Sequence, residues 1–596
     1  MGVYGLVIED FIVKLTAHPK CGEAVREILR KTAHLVKAKS VAYAAGFCVF
    51  AARLAEAMGA IPDLSSTLPG KGTFIHQILA LALPKLYYDE RFRESFINGR
   101  LSSGTIRYAV EHSFEELIRY GVVDKEFANK RKRETIENSC KMIHNLARVL
   151  PLLIRELGMN KDSIRLYTEL PLYSYRFHVI GVIDAIIEDP IRKRAIVVEW
   201  KTEKTPSQWE LAQAYVYALL EAERLGLDDP IKAVRDDELI IPIVVRPGGD
   251  IPIYSVASIM KTTKREFDRI DMINKILLAA EHLTLIVTTP EKFIDRTTIE
   301  LCKITGASGR IASAFRRVPE GLPRYNPHKH EKYPCGICIY RDACIFYIMS
   351  FEESTELDKY AWRARFAIYN VRENALKPLK ELNDLAQVRV SEAGETDRKI
   401  FESIDKVEKK LHESGNRVDY FEFAEISVDD YTVYLKRPLS REEVVEGPAN
   451  ITTVREGKPV LVIFRDDYII NPLLRLSFHG RVDNIDIIEH NGHDYVVVAV
   501  SAPNMPSRLS LLILDTIAKY DKLFLEKPMA VEINVDLTQL ELQAIDAYHR
   551  ATKEILKRMI SKDLMTKISS RINKDRKERV DFMLAYLFAG KALEGE

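Results

Sequence analysis

The sequence predicts an α/β fold set inside a longer, multi-part chain, and three observations carry that expectation. Residues 1–157 show apolar residues at helical spacing, as over 41–58 and 74–88, with breaks at Pro62 and Pro69. From Arg165 the pattern changes to short β-branched and aromatic runs: LYTELPLYSY, FHVIGVIDAIIED and RAIVVEWKT. An amphipathic stretch over 207–225 then leads into another strand-like run, ELIIPIVV. Strands followed by a helix and a further strand are how a sheet acquires a covering helix.

At 596 residues the chain exceeds what one core supports, so several parts are expected. Residues 1–157 read as a helical N-terminal part and 158–350 as the α/β core, with a helical stretch over 263–282 and a cysteine-rich end. Residues 351–418 read as a helical connector, with a long helix over 355–385 and a charged segment over 391–417. Residues 419–505 are strand-rich and barrel-like (EISVDDYTVYLKR, KPVLVIF, RLSFHGRVDNIDII, DYVVVAVS), and 506–596 return to a helical pattern.

Composition excludes some function classes. With 47% hydrophobic and 29% charged residues the chain reads as soluble and globular, and no apolar run reaches the ~18 residues that a membrane span needs. Glu9, Asp10 and Lys14 interrupt the first apolar stretch, so no signal peptide and a cytoplasmic location are expected. Net charge is +1, from 87 basic against 86 acidic residues, so any contact with nucleic acid must come from local patches. Three stand out: 130–133 (KRKR), 310–332 with six Lys/Arg against two acids, and 553–579 with ten against four. Each, taken alone, reads first as a solvated face.

The chemistry-bearing residues concentrate in the α/β core. Asp184 and Glu199 lie fifteen residues apart on two neighbouring predicted strands, a spacing that a β-hairpin can close. Lys201 follows Glu199 by two residues, so the strand period puts both side chains on one face. Two carboxylates suit a hard divalent cation, which polarises a phosphodiester and lowers the pKa of water. A lysine beside them can orient the nucleophile and offset developing charge. Gly181 permits close approach three residues before Asp184, and the following helix carries Gln213 and Tyr217. The plainer reading of the three charged residues is a salt-bridge ladder on a sheet surface. The sequence GKGT at 70–73 is no phosphate-binding loop, because Gly72 follows Lys71 where Ser or Thr is required.

Seven cysteines argue against a disulfide framework, and their distribution is uneven. Cys335, Cys338 and Cys344 form a Cys-x2-Cys-x5-Cys cluster, while Cys21, Cys48, Cys140 and Cys302 are scattered. Three thiolates so close suit a zinc ion or a 4Fe-4S cluster completed by one distant cysteine, and spacing alone leaves both open.

Four motifs in order, GKGTFIHQIL with His76, GVID with Asp184, EWK with Glu199 and Lys201, and QAYVY with Gln213 and Tyr217, resemble the RecB-like branch of the PD-(D/E)xK nucleases. Within it the iron-sulfur members are the most similar: the CRISPR-associated adaptation nucleases, the AddB helicase-nuclease subunit and the eukaryotic flap-processing nuclease-helicase. That resemblance implies a restriction-endonuclease-like core in an α/β fold. It implies that His76, Asp184, Glu199 and the carbonyl of Trp200 hold Mg2+ or Mn2+, that Lys201 acts on the attacking water, and that Gln213 and Tyr217 steady the site and contact DNA. It also implies a structural 4Fe-4S cluster on Cys48, Cys335, Cys338 and Cys344, with Cys140 and Cys21 as other candidates for the first position. Such a cluster would join residues 48 and 344 and act as a staple across roughly 300 residues.

One internal similarity remains. Gly181 and Asp184 align with Gly480 and Asp483, but Glu199 and Lys201 then meet Ala499 and Ser501. The strand-rich second part is therefore either a catalytically dead duplicate or an unrelated β-barrel. DLTQLELQAIDAY is similar to the segment ahead of the first motor motif in superfamily 1 helicases, so the chain resembles the front of a flap-processing nuclease-helicase without its motor. On that resemblance the barrel would hold DNA or dock a protein, and the basic tail would meet DNA or a separate helicase or ATPase. The expected function is a metal-dependent nuclease acting on single-stranded DNA or DNA ends. The competing expectations are a non-catalytic DNA-binding or scaffold subunit and a zinc-binding structural protein.

Overall fold

The computed structural model describes residues 36–49, 51–52, 71–174, 176–177, 179–202, 207–248, 269–287, 321–323, 325, 335, 338, 421–441, 452, 454–464, 477–490, 492–502 and 505–532. The chain divides into two compact units: Met1–Pro62 with Asn274–Arg398 and Asp536–Glu596, and Asp63–Ile273 with Lys399–Val535. The connector over 351–418, the basic stretch over 553–579, Cys21, Cys302, Cys344 and nearly all of 310–332 lie outside the described residues.

The first unit holds helix α1 (Ala38–Gly46), whose alanines, Ser40 and Val41 are buried while Lys39 is exposed. In the second unit a helical layer comes first: α2 (Lys71–Tyr88), α3 (Glu90–Ile97), α4 (Ser103–Arg119) and α5 (Lys125–Glu156). Asp89, Ser102 and Asp124 cap α3, α4 and α5 by accepting from backbone N–H groups of their first turns, as short polar residues do at that position. α2 is apolar nearly all round, from Phe74 and Ile75 to Leu83 and Leu86. Such a helix must be covered on several sides, and α3, α4 and α5 all pack on it.

The first sheet follows. Strands β1 (Arg165–Ser174) and β2 (Val179–Asp189) pair antiparallel, as do β2 and β3 (Arg194–Trp200). Helix α6 (Gln208–Arg224) then crosses over, and after the short α7 (Pro230–Arg235) strand β4 (Ile240–Val245) pairs parallel to β3. β3 reads AIVVEW and β4 reads IIPIVV, buried along almost their whole length, the pattern of strands covered on both faces. The cover is α6, which packs on β1, β3 and β4 and buries Leu211 through Ala222. The Glu210 carboxylate helps fix its start by receiving the Ser207 N–H at 2.8 Å, one half of a capping box. Helix α8 (Arg269–Val287) continues beyond the expected end at 282.

The second sheet contains β5 (Phe423–Ser427), β6 (Thr432–Pro438), β7 (Pro459–Ile463), β8 (Ser477–His490), β9 (His493–Ser501) and β10 (Met529–Glu532). Their order is β10-β7-β8-β9-β6-β5, antiparallel throughout. Its two edges meet: Phe423 bridges to Glu526, the Phe421 N–H donates to Pro528 O at 2.9 Å, and the Lys527 N–H to Glu422 O at 2.9 Å. Antiparallel pairing of residues 421–423 with 526–528 thus joins the two edges at one end, a barrel-like closure.

Residues 506–596 read as helical from sequence, but helix α9 (Met505–Ala518) is followed by β10 as the closing strand. MAVE is too short for its alternation to show as a period, and only the partner β7 makes it a strand. Helix α9 packs on β8 and on α2. Nearby, the Tyr431 hydroxyl donates to Tyr120 O at 3.2 Å and the Tyr520 hydroxyl to Asp89 Oδ2 at 3.4 Å. The Arg508 guanidinium sits 4.0 Å from the Tyr431 ring centroid. No helix among the described residues is long and apolar enough to cross a membrane.

Candidate active site

Four elements of the second unit deliver the polar side chains that the sequence singled out. β2 carries Asp184, the end of β3 carries Glu199 and Lys201, α2 carries His76, and α6 presents Gln213 and Tyr217 one turn apart. His76 Nδ1 lies 3.1 Å from Asp184 Oδ1, and Asp184 Oδ2 receives the Trp200 N–H at 2.8 Å. The Lys201 ammonium donates to Glu199 Oε1 and, at 3.2 Å, to Gln213 Oε1. The Gln213 amide in turn donates to the Tyr217 hydroxyl at 3.3 Å. The six side chains thus form two hydrogen-bonded chains, joined through the backbone of residues 199–201.

Electrostatics make the cluster tense. Asp184 and Glu199 are buried at 9% and 1% exposure, where an unpaired carboxylate is costly. Burial pushes Glu199 up to about 7, and the Asp184 charge adds to it. Burial acts on Asp184 in the same direction, but the charge and hydrogen bond of His76, with Lys201 and the Trp200 N–H, hold it below the usual carboxylate range. Burial lowers His76 and Lys201, and the neighbouring carboxylates outweigh it and leave both raised. The Tyr217 phenol is raised by burial and then by the Glu199 and Asp184 charges, so it stays protonated.

The sequence reading missed a third carboxylate. Thr168 pairs with Ala185 and Leu170 with Ile183, so Glu169 stands directly across the ladder from Asp184. Like charges in that arrangement repel. Glu169 also has a φ of 50°, in the left-handed region that a non-glycine residue rarely occupies. Burial, then the Asp184 charge, raises it to about 8. In sequence it is one glutamate in ELPLYS, and only the strand register reveals its neighbour.

Support from outside the cluster was also invisible in sequence. The Trp209 ring lies 5.2 Å from the Lys201 ammonium. Buried Arg246 bonds to Glu210 and its carbonyl receives the Asn145 amide at 2.8 Å, tying the start of α6 to β4 and α5. The Ser-x-x-Glu spacing of the capping box was the one available signal for Glu210.

The donor set suits a hard divalent cation. Glu199 Oε2 is buried with no hydrogen-bond partner, an orphaned anionic oxygen that such an ion would satisfy. Among the described residues no group of three His, Cys, Asp or Glu surrounds one point; His76 bonds to Asp184, and Lys201 to Glu199.

Of the cysteine set, Cys48 and Cys335 are buried and Cys338 half-buried, and none of the three is in a disulfide. All three belong to the first unit, where the Val49 N–H donates to Pro323 O at 2.9 Å, twelve residues before Cys335. Cys140 sits on α5 in the second unit, and burial pushes its thiol up to about 11. The described residues show no gathered thiolate site. In the basic run at 130–133, Lys130, Lys132 and Arg133 face Glu126, Glu115 and Glu137, a solvated and internally paired helix face.

No curated protein sequence matches the chain. The family model for the PD-(D/E)XK nuclease superfamily matches residues 43–345, just over half of the 596. That span contains the end of α1, the His76 helix, strands β1 to β4 and the cysteine cluster. The chain therefore belongs to the PD-(D/E)XK nuclease superfamily.

Proposed function

We propose that the protein is a metal-dependent deoxyribonuclease, an exonuclease or flap endonuclease acting on single-stranded DNA or DNA with single-stranded ends. The observation that carries this reading is Lys201, whose ammonium is held between Glu199 and Gln213 beside a carboxylate cluster. A merely structural lysine would face one acid on a surface. Asp184 and Glu199, with the Trp200 carbonyl and His76, are the residues to hold Mg2+ or Mn2+. When bound, such a cation supplies Lewis acidity at the phosphate and lowers the pKa of water.

The protein's own part is positional. Gln213, itself held by Tyr217, fixes Lys201 in one place. From there Lys201 orients the attacking water and offsets charge on the phosphate as the new P–O bond forms and the bond to the leaving oxygen breaks. Burial and the Asp184 charge push Glu199 up to about 7, so a bound cation would favour its ionised form and cation binding is coupled to loss of that proton. We assign the chain to the RecB-like iron-sulfur branch, with a structural 4Fe-4S cluster on Cys48, Cys335, Cys338 and Cys344. Its biological setting would be DNA repair, recombination or CRISPR-related processing, with a separate helicase or ATPase as its partner.

The test compares full-length wild type with Lys201→Ala on end-labelled single-stranded, flapped and duplex DNA with Mg2+ or Mn2+. Cleavage should fall on the order of 100-fold or more in the variant. Equal cleavage by the two would remove the assignment, and binding without cleavage by wild type would favour a scaffold subunit. Absorbance near 400 nm in anaerobically purified protein tests the cluster, and colourless protein containing zinc would replace it.

A further inference from the structure

Two tryptophans lie close to Lys201 in sequence, and the fold treats them differently. Trp200, between Glu199 and Lys201, is buried in the core. Trp209, in the first turn of α6, is only half-buried, and its ring centroid lies 5.2 Å from the Lys201 ammonium. That distance is within the ~6 Å reach of a cation–π contact. The ammonium already donates to Glu199 and Gln213, so it does not need the ring to satisfy its hydrogens. A large ring left partly in water forgoes some of the burial that makes tryptophan stabilising. Asp184 and Glu199 beside it are buried, so Trp209 is aromatic surface at the rim of the candidate site.

The backbone under this ring is fixed. Glu210, the next residue, receives the Ser207 N–H at 2.8 Å and is bonded by buried Arg246, whose carbonyl receives the Asn145 amide at 2.8 Å. A ring on such a support has only its own χ1 and χ2 torsions to lose on contact, so binding against it is cheap in entropy.

We propose that Trp209 is a substrate-binding residue whose ring stacks on an unpaired nucleobase adjoining the bond that is cut. The inference rests on the nuclease reading and gives its preference for single strands a physical origin. A phosphate in reach of Lys201 brings the base of an adjoining nucleotide beside the ring. In a duplex that base is paired and must leave the stack first. In a single strand every base offers a π face, so the contact is sequence-tolerant.

The test is a cycle on the full chain with Mn2+, using single-stranded oligonucleotides that carry an abasic nucleotide on one or the other side of the cleaved bond. Trp209→Ala should cut the intact strand about tenfold more slowly in kcat/KM, equivalent to about 1.4 kcal/mol and inside the range of base–aromatic stacking. The abasic nucleotide should slow wild type by a similar factor and Trp209→Ala hardly further, because the same contact is already gone. Without divalent cation, an intact oligonucleotide should quench the tryptophan emission of wild type but not that of Trp209→Phe. Trp209→Phe keeps a ring and should cleave within about threefold of wild type, which separates loss of stacking from misfolding. An equal abasic penalty in wild type and Trp209→Ala, or undiminished quenching in Trp209→Phe, overturns the stacking role and leaves the nuclease reading standing. No cleavage of any DNA by wild type overturns both.

Discussion

Gly181 and Asp184 on β2 have counterparts in Gly480 and Asp483 on β8, each in the first strand of an antiparallel hairpin, yet the two surroundings differ at every step. Asp184 is buried, its charge acts on Glu169 and Glu199, and its oxygens meet His76 and the Trp200 N–H. Asp483 is exposed and falls at a register shift next to Ala499 and Val500, where its Oδ1 receives the Ser501 hydroxyl at 2.9 Å. Beyond the hairpin, β3 continues through α6 into a parallel neighbour, β4. β9 continues through α9 to β10, which joins the far side of the sheet beside β7. A glycine and an aspartate on a hairpin are thus a cheap local motif. What sets the candidate site apart is the Glu-x-Lys strand and the helix that covers it.

The comparison can be broken by substitution. Asp184→Asn should reduce Mn2+-dependent cleavage on the order of 1000-fold, whereas Asp483→Asn should leave it unchanged in the same assay. A matching loss in both would mean that the second sheet takes part in the chemistry. Gly480 matters for a purely steric reason, since a Cβ there would meet Ser501 O at 2.6 Å, Val500 Cγ1 at 2.6 Å and Phe478 Cε1 at 2.7 Å. Gly480→Ala should therefore cost about 1–3 kcal/mol in denaturant melts, with cleavage per folded molecule intact. Tyr217→Phe removes one hydrogen bond behind Lys201 and should slow turnover about fivefold, the equivalent of about 1 kcal/mol.

The smallest effect concerns pH. Glu199 and Glu169 titrate near 7 and near 8 in the folded chain, above the about 4.3 of an unfolded glutamate. The folded state then holds protons that the unfolded state has already lost. Their stabilising contribution is complete below the unfolded value and disappears as pH rises through about 7 to 8. Without divalent cation the melting temperature should fall by a few degrees between about pH 6 and pH 9. Excess Mn2+ should flatten that slope, because it stabilises the ionised carboxylates. A slope unaffected by Mn2+ would separate these glutamates from cation binding.

How much of this was legible in the sequence depended on whether the information is local. Lys201 and Glu199 share a strand, and Gln213 and Tyr217 share a helix face, so periods of 2 and 3.6 place each pair without any tertiary knowledge. His76 was legible only through its place in an ordered motif series, since nothing in GKGTFIHQIL says that α2 will stand against β2. Glu169 was not legible, because its meaning lies in which residue of β2 it faces. β10 was missed for a related reason: four residues carry no period, and its existence depends on β7. The closure of the barrel, set by backbone bonds between residues 421–423 and 526–528, has no side-chain signature at all.

Helix α9 lies late in the chain, yet it packs on α2, the element that presents His76. A protein shortened to residues 1–350 would keep every candidate catalytic side chain and lose that cover, leaving one flank of a largely apolar helix in water. Ile513, Leu511 and Leu514 of α9, all buried, show the kind of surface that would be lost. A soluble minimal nuclease therefore cannot be cut from the first half alone. It would have to carry the barrel and α9 along, or have the exposed side of α2 redesigned.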